Sequence, residues 1–386
     1  VQQINEERQR RLLAYRNARR VLVRLLAIPF LFLLGSLFCI YPQHSWSLIG
    51  LTNALWHRLM APFLWPSFFS WHPLPLLCSY LLCMCCFELL YLPLYFYLDY
   101  DLKRYHRLPT SSLWTCVLRH CRNQSRLVVK WALLVQVIYL LEACLQEWWF
   151  CAFAGLQLLL DIFVAQRQPA AMARTYTLTR LVDGELAQRL HLLMQRLSTS
   201  VKGIYIVTRP GTKMAPTAFV IGWGWTRTIC IAHTTLERFS LDEIEVIMAH
   251  ELSHHIHADI WRHFLVRTGV RTMLYFLLSM LLVDLVNVPI YFFSGTTDSA
   301  TMPFLLSFFV LSWLLTRIIM NRYSRYTEYR ADEFALSRTG KYQAFKTTMV
   351  KLANINTLLA HDDSYSSHPS IVSRIQHADE FAARGV

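Results

Sequence analysis

The sequence predicts a mainly α protein, a polytopic helical membrane bundle of about six spans joined to one smaller α+β domain. Three observations predict it. The 386 residues are 54% hydrophobic and 16% charged, with mean hydropathy +0.30, too apolar for a single water-soluble domain. Long apolar runs recur along the chain, and one stretch of different periodicity interrupts them. The connections between runs are alternately rich and poor in Lys and Arg, as the positive-inside rule requires.

Residues 1–24 carry Arg8, Arg10, Arg11, Arg16, Arg19, Arg20 and Arg24 against Glu6 and Glu7, and the apolar run Leu25 to Tyr41 follows. Pro42-Gln43-His44 offers no small-residue cleavage site, so this end is expected to be an uncleaved signal anchor. Five more spans are expected at Leu74 to Leu98, Leu127 to Cys144, Trp149 to Val164, Val270 to Phe293 and Pro303 to Met320. The loop Asp101 to Arg126 holds Lys103, Arg104, Arg107, Arg119, Arg122 and Arg126, and Arg322, Arg325 and Arg330 follow the last span. Connections near Trp148 and near Asp298 lack basic residues, so both chain ends and the segment 165–269 are expected to face the cytoplasm. Ser47 to Trp65 reads as interfacial or re-entrant, because a span there would put basic segments on the wrong side. The expected organisation is thus 1–166 with four spans, 167–268 with a small sheet and the metal helix, 269–320 with two spans, and 321–386 completing the α+β domain.

The formal charge of +13 lies beside apolar runs, which points to the lipid bilayer as partner and argues against nucleic acid. Nine of the ten Cys precede residue 165, several inside apolar runs, where Cys is a small apolar filler. Cys83 and Cys86 make a C-x-x-C without a second pair, and no disulfide framework is implied. Glu88, Glu142, Asp161 and Asp284 fall within spans, and a charge in hydrocarbon costs at least about 2.5 kcal/mol. They either line a hydrated cavity between helices or reach the interface from span ends.

After residue 165 the pattern changes. Asp183-Gly184 reads as a turn, and Leu186, Leu190, Leu193 and Leu197 give Glu185 to Leu197 one apolar face. Gly203 to Thr208, Thr217 to Ile221 and Thr228 to Ala232 are short β-branched runs and read as strands. By analogy with peptidases that hold an extended substrate on a strand edge, Thr217, Ala218, Phe219 and Val220 are candidate substrate-binding residues.

Ser240 followed by Glu243 has the spacing of a capping box, and Ile244, Ile247, Met248 and Leu252 make a buried stripe. The helix they predict begins about two and a half turns before His250. His250-Glu251-Leu252-Ser253-His254 reads H-E-x-x-H, which puts two imidazoles on one helix face with a carboxylate beside them. Zinc, one ion per chain, suits such a pair plus one further protein ligand and a water that the carboxylate deprotonates. That is metallopeptidase chemistry, with peptides or membrane proteins as substrates. His257, one turn beyond His254, either supports the site or is merely exposed, and exposure is the expected outcome. The longer metzincin pattern would need a Gly at position 257 and a His at 260, where the chain has His257 and Ile260.

Ser324 to Asp332 reads as helical, with Glu328 and Asp332 one turn apart. Glu328 could complete the metal site while Asp332 accepts from a ligand imidazole; alternatively both acids are solvated and pair with Arg325 and Arg330. The run Ser324-Arg325-x-x-Glu328-x-x-Ala331-Asp332 after H-E-x-x-H and two spans resembles the M48 membrane zinc metallopeptidases of the Ste24 and HtpX type. Val182-Asp183-Gly184-Glu185-Leu186 with Gly203 to Val207, His368-Pro369, and Arg374-Ile375 are similar to further elements of that family, as is Leu92-Pro93-Leu94-Tyr95 through Ser111. The resemblance implies a zincin-type catalytic domain, zinc on His250, His254 and Glu328, and Glu251 as general base. It also implies support from Asp332, and donation to the oxyanion by His368 aided by Arg374. Two departures stand: Thr217 occupies a position usually Asn in Ste24-type chains, and six spans are expected where that group has seven.

A zinc transporter also can carry an H-E-x-x-H-like element, but within a span and beside a second His-bearing span, which this chain lacks. A site-2-type protease needs Asp-Gly in a span after the metal helix, whereas Asp183-Gly184 precedes it.

Overall fold

The computed structural model describes residues 7, 10–11, 13–19, 21–22, 73–106, 108, 110–209, 214–222, 227–287, 295–297, 301–355 and 368–384. The expected anchor span at 25–41 and the segment 47–65 lie outside the described residues. The chain divides into two compact units, one built mainly from 157–269 and 316–386, the other from 10–156 and 270–315.

The second unit is helical. Its elements are α1 (Pro73–Phe96), a π-turn (Tyr97–Asp101) and short α2 (Leu102–Tyr105), α3 (Leu113–Leu145), and the first part of α4 (Trp149–Thr175). Parts of α8 (Asp259–Val286) and α9 (Met302–Thr339) complete it. Its core is aromatic and aliphatic: Tyr80, Ile138, Tyr139, Trp149, Phe153, Tyr275, Leu278 and Leu305 are buried together. Outward faces of the same helices expose Leu133, Leu159, Met273, Phe276, Leu311, Trp313 and Ile318, the distribution expected of helices whose solvent is hydrocarbon. Among the described residues three helical stretches are long and apolar enough to cross a membrane: Leu113–Gln168, Asp259–Val286 and Phe304–Thr339. The first contains both expected spans 127–144 and 149–164, separated by a 3-10 turn at Gln146–Trp148. The span expected at 74–98 is the helix α1. The molecule is therefore an integral membrane protein with a mainly helical fold.

The acids of these segments have separate fates. Glu88 meets His120 at 3.0 Å and Asp161 pairs with Arg267 at 2.6 Å. Glu142 is buried, with Oε2 lacking a hydrogen-bond partner, and Asp284 is exposed.

The first unit carries a four-stranded sheet in the order β1-β2-β4-β3. Its strands are β1 (Thr177–Arg180), β2 (Gly203–Thr208), β3 (Ala218–Ile221) and β4 (Thr228–Ala232). β4 is parallel to β2 and antiparallel to β3, and β1 is antiparallel to β2. β1 was not among the expected strands. Its run TLTR has three exposed residues of four, so it lacks the apolar alternation that marks a strand in sequence. All five residues of β4 are buried, as a central strand covered on both faces requires.

Ile229 and Ile231 face α5 (Glu185–Arg196) and α7 (Leu241–Ile256) in one core with Leu190, Leu193, Met248 and Leu252. Cys230, of opposite parity, packs with Val207 and Ile221 beneath, following the period of two along a strand. Gly184 begins α5 at φ +101°, a conformation open to glycine at little cost. Short α6 (His233–Arg238) leads to α7; α10 (Tyr342–Ile355) and α11 (Ile371–Ala383) close the unit, packing Phe345, Met349 and Ala378 around Val246 and Leu336.

Candidate metal centre

The capping box forms as expected. The Ser240 hydroxyl accepts from the Glu243 amide, and the Glu243 carboxylate accepts from the Ser240 amide at 2.7 Å. α7 then carries His250 and His254 into the unit, their rings 5.0 Å apart and nearly perpendicular. α9 lies close because the facing residues are small: Ala249 and Ala335 are fully buried in one cluster with Met248 and Leu252. That closeness lets Glu328 reach both rings. Its Oε2 is 3.4 Å from His250 Nε2 and its Oε1 3.7 Å from His254 Nε2. One ligand atom from each of the three residues lies within 4.8 Å of the others.

The alternative in which Glu328 and Asp332 are solvated acids paired with Arg325 and Arg330 does not hold, because both are buried, Asp332 completely. Asp332 accepts from Arg374 Nε at 2.8 Å and stands 2.9 Å from His250 Nδ1. Ser370, the N-cap of α11, accepts from the Ser373 amide and so sets the first turn from which Arg374 projects. His368, just before that cap, is exposed and places Nδ1 2.9 Å from Glu328 Oε1. Burial pushes His250 down, but the carboxylates of Asp332 and Glu328 outweigh it and raise its pKa to about 10. Burial also raises the Glu251 carboxyl, against the opposing pull of His250 and His254.

Two nitrogens and a carboxylate form a donor set of the catalytic zinc kind, three protein ligands with a fourth position left for water. The buried Glu328 Oε2 has no hydrogen-bond partner, an orphan polar atom that a cation between the imidazoles would satisfy.

Three expectations need revision. His257 is half-buried rather than exposed: it caps α7, its Nδ1 donates to the Ser253 carbonyl at 2.9 Å, and its ring meets Phe334 edge-on. Thr217 lies just before β3, with its amide bonded to Thr235 Oγ1 and its carbonyl accepting from Thr235 and the Ala232 amide. Its main chain is therefore committed internally. Arg330 pairs with Asp259 instead of with an acid of its own helix.

Asp259 itself was missed by sequence reading. Its Oδ2 is 3.0 Å from His254 Nδ1. The signal was an Asp five residues after the second His and three past the helix end, which has no meaning until the chain turns there.

Comparison with known proteins agrees with this geometry. The family described as peptidase family M48 matches residues 180–382, just over half of the chain. The chain is 28% identical over 245 residues to an uncharacterized metalloprotease YhfN of Bacillus subtilis, covering 61% of this chain and 57% of that protein. It is 30% identical over 195 residues to a protease HtpX homolog of Helicobacter acinonychis, covering 45% of this chain and 59% of that one. It thus spans less than two thirds of the length of these relatives. The crystal structure of S. mikatae Ste24p is similar in fold, with a TM-score of 0.62 at 20% identity over 87% of this chain and 83% of that chain. With the H-E-x-x-H helix, the convergent glutamate and the matched family region all in the same unit, the chain belongs to peptidase family M48.

Proposed function

We propose that this chain is a zinc-dependent endopeptidase of the membrane, with one zinc per chain, acting on the cytoplasmic side on membrane-associated, unfolded or prenylated polypeptides. The observation that carries the reading is the convergence of His250, His254 and Glu328 within 4.8 Å beside the half-buried Glu251. His250, His254 and Glu328 would hold the zinc ion, and the chemistry it would supply there is Lewis-acid polarisation of the scissile carbonyl and acidification of the attacking water. The other steps belong to the chain's own groups. Glu251 takes the proton from that water and returns it to the leaving amine, a role suited to a carboxyl raised by burial. His368 stands at the exposed rim, where it donates to the oxyanion, while Arg374 and Asp332 hold His250.

The substrate lies along β3, an edge strand. Thr217 accepts from Ala232 and the register runs Ala218↔Ile231, Phe219↔Cys230, Val220↔Ile229. Antiparallel pairing alternates, so Phe219 directs its amide and carbonyl to β4, and Ala218 and Val220 direct theirs to the open edge. These two, rather than Thr217, would bond an extended peptide. Peptidase family membership and a metal helix outside the three apolar stretches weigh against a zinc transporter.

The test is Glu251→Gln in the full chain in detergent. It should retain stoichiometric zinc and lose about 10²–10⁴-fold in cleavage rate; cleavage at the wild-type rate would refute the mechanism. Product mass spectrometry on a prenylated peptide and an unfolded membrane protein then assigns the substrate class, a released terminal tripeptide favouring the first and scattered internal cuts the second.

A further inference from the structure

We propose that Asp259, held by Arg330, is a positioning residue that fixes which nitrogen of His254 faces the metal; the proposal rests on the metal-site reading above. α7 ends at Ile256, and Ala258 adopts φ +55°, a left-handed step that an alanine takes only at some cost. That step turns the chain and starts α8 at Asp259, whose carboxylate meets His254 on the preceding helix. Asp259 is 3% exposed. Its Oδ2 lies 3.0 Å from His254 Nδ1, and its Oδ1 accepts from Arg330 Nη2.

The arrangement repeats across the site. His250 Nδ1 faces Asp332, and Asp332 accepts from Arg374. Each imidazole therefore has a carboxylate on Nδ1, each carboxylate a guanidinium behind it, and each Nε2 faces Glu328. The two braces come from different places. Asp332 and Arg374 lie on α9 and α11, whereas Asp259 lies only five residues beyond the ring it holds. A carboxylate accepts only, so it keeps the proton of His254 on Nδ1 and leaves the Nε2 lone pair for a cation.

This geometry makes an asymmetric prediction for asparagine. Arg330 offers only donors, so in Asp259→Asn the amide oxygen is drawn to the guanidinium and the NH₂ is turned to His254 Nδ1. The ring must then accept on Nδ1 and carry its proton on Nε2, the wrong tautomer for a ligand. Removing the guanidinium as well frees the amide to turn its oxygen to His254. Asp259→Asn should therefore bind metal more weakly than the double variant Asp259→Asn with Arg330→Gln. A role confined to packing gives the opposite order, because the double variant has lost more contacts.

The experiment uses the full chain in detergent. Zinc affinity is measured by competition with a chromophoric chelator and geometry by the visible absorption of the cobalt-substituted protein, with melting temperature in excess chelator as the folding control. The expected result is a loss of about 10–100-fold for Asp259→Asn, with an altered cobalt spectrum and partial recovery in the double variant. Wild-type affinity and spectrum in Asp259→Asn would overturn the proposal, as would a double variant weaker than the single. Should Asp259→Asn not fold, Arg330→Gln alone carries the test. A roughly fivefold loss is expected from the loosened carboxylate, and unchanged affinity overturns it. A wild-type chain that takes up neither zinc nor cobalt would instead refute the metal-site reading itself.

Discussion

Asp332→Asn perturbs the most deeply buried charge of the site, a carboxylate with no exposure. In the native chain it accepts two bonds from Arg374 and faces His250 Nδ1 at 2.9 Å. The amide keeps one acceptor and turns a donor toward either the guanidinium or the ring. Arg374, 8% exposed, then keeps Glu328, at 3.7 Å, and the more distant Glu251 as counter-charges among the described residues. Breaking a buried ion pair by removing one partner costs about 3–5 kcal/mol, and the surviving neutral hydrogen bond offsets about 1 kcal/mol. A net loss of roughly 2–4 kcal/mol is expected, or a melting temperature lower by roughly 4–16 °C for a domain of this size. Zinc affinity should fall about 10–100-fold, since the carboxylate orients a ligand imidazole. Thermal unfolding in excess chelator reads the first effect and chelator competition the second. A double variant, Asp332→Leu with Arg374→Met, should recover much of the stability and none of the affinity, because an apolar pair of similar volume replaces a buried ionic one at little cost. If Asp332→Asn melted and bound zinc as wild type does, the proposed brace would not exist.

Three further outcomes follow from the structure. Val220→Pro removes an amide that points to the open edge of β3, so it should leave the unfolding free energy within about 1 kcal/mol of wild type while lowering kcat/KM. Phe219→Pro removes a bond to β4 and should destabilise the fold; equal behaviour of the two would refute the assignment of the edge. Ser240→Ala should cost about 1 kcal/mol by opening the cap of α7. The partner Glu243 is opposed by its burial, yet Lys351 and the Ser240 amide hold its pKa below the ordinary 4.5. Its contribution is therefore complete above about pH 4.5 and fades as pH falls through the lower folded value. Melting curves of Glu243→Gln should lack that part of the acid limb, and a pH profile identical to wild type would count against it.

Local rules were enough for a good part of this protein. The Ser240 cap, the amphipathic Leu stripe of α5 and the β-branched runs of β2 and β4 are properties of a few consecutive residues, and these elements formed near their expected bounds, whereas the helices of the later apolar runs extend well beyond them at one end. The pairing of His250 with His254 is equally local, since one helical turn suffices to bring the rings together.

What lies across the chain was not legible in this way. Glu328 stands seventy-four positions after His254, and from its own surroundings it was as fit to be solvated beside Arg325 as to be buried beside a metal. Only the packing of α9 on α7 through Ala249 and Ala335 decided between them. The spacing of Asp259 from His254 could not be interpreted in sequence, because its meeting with Arg330 depends on a left-handed backbone step at Ala258 and on a helix far away in sequence. β1 was invisible because a strand with few buried side chains is defined by its hydrogen-bonding neighbour β2 rather than by its residues. The division of β3 into inward and outward amides likewise follows from register, a relation between two strands that neither contains alone. The sequence by itself determined the elements, the pair of imidazoles and the class of chemistry; the tertiary structure decided which carboxylates converge on them. Helices and caps arise from contacts a few residues apart, whereas a coordination sphere is a meeting of segments that only the packed core brings together.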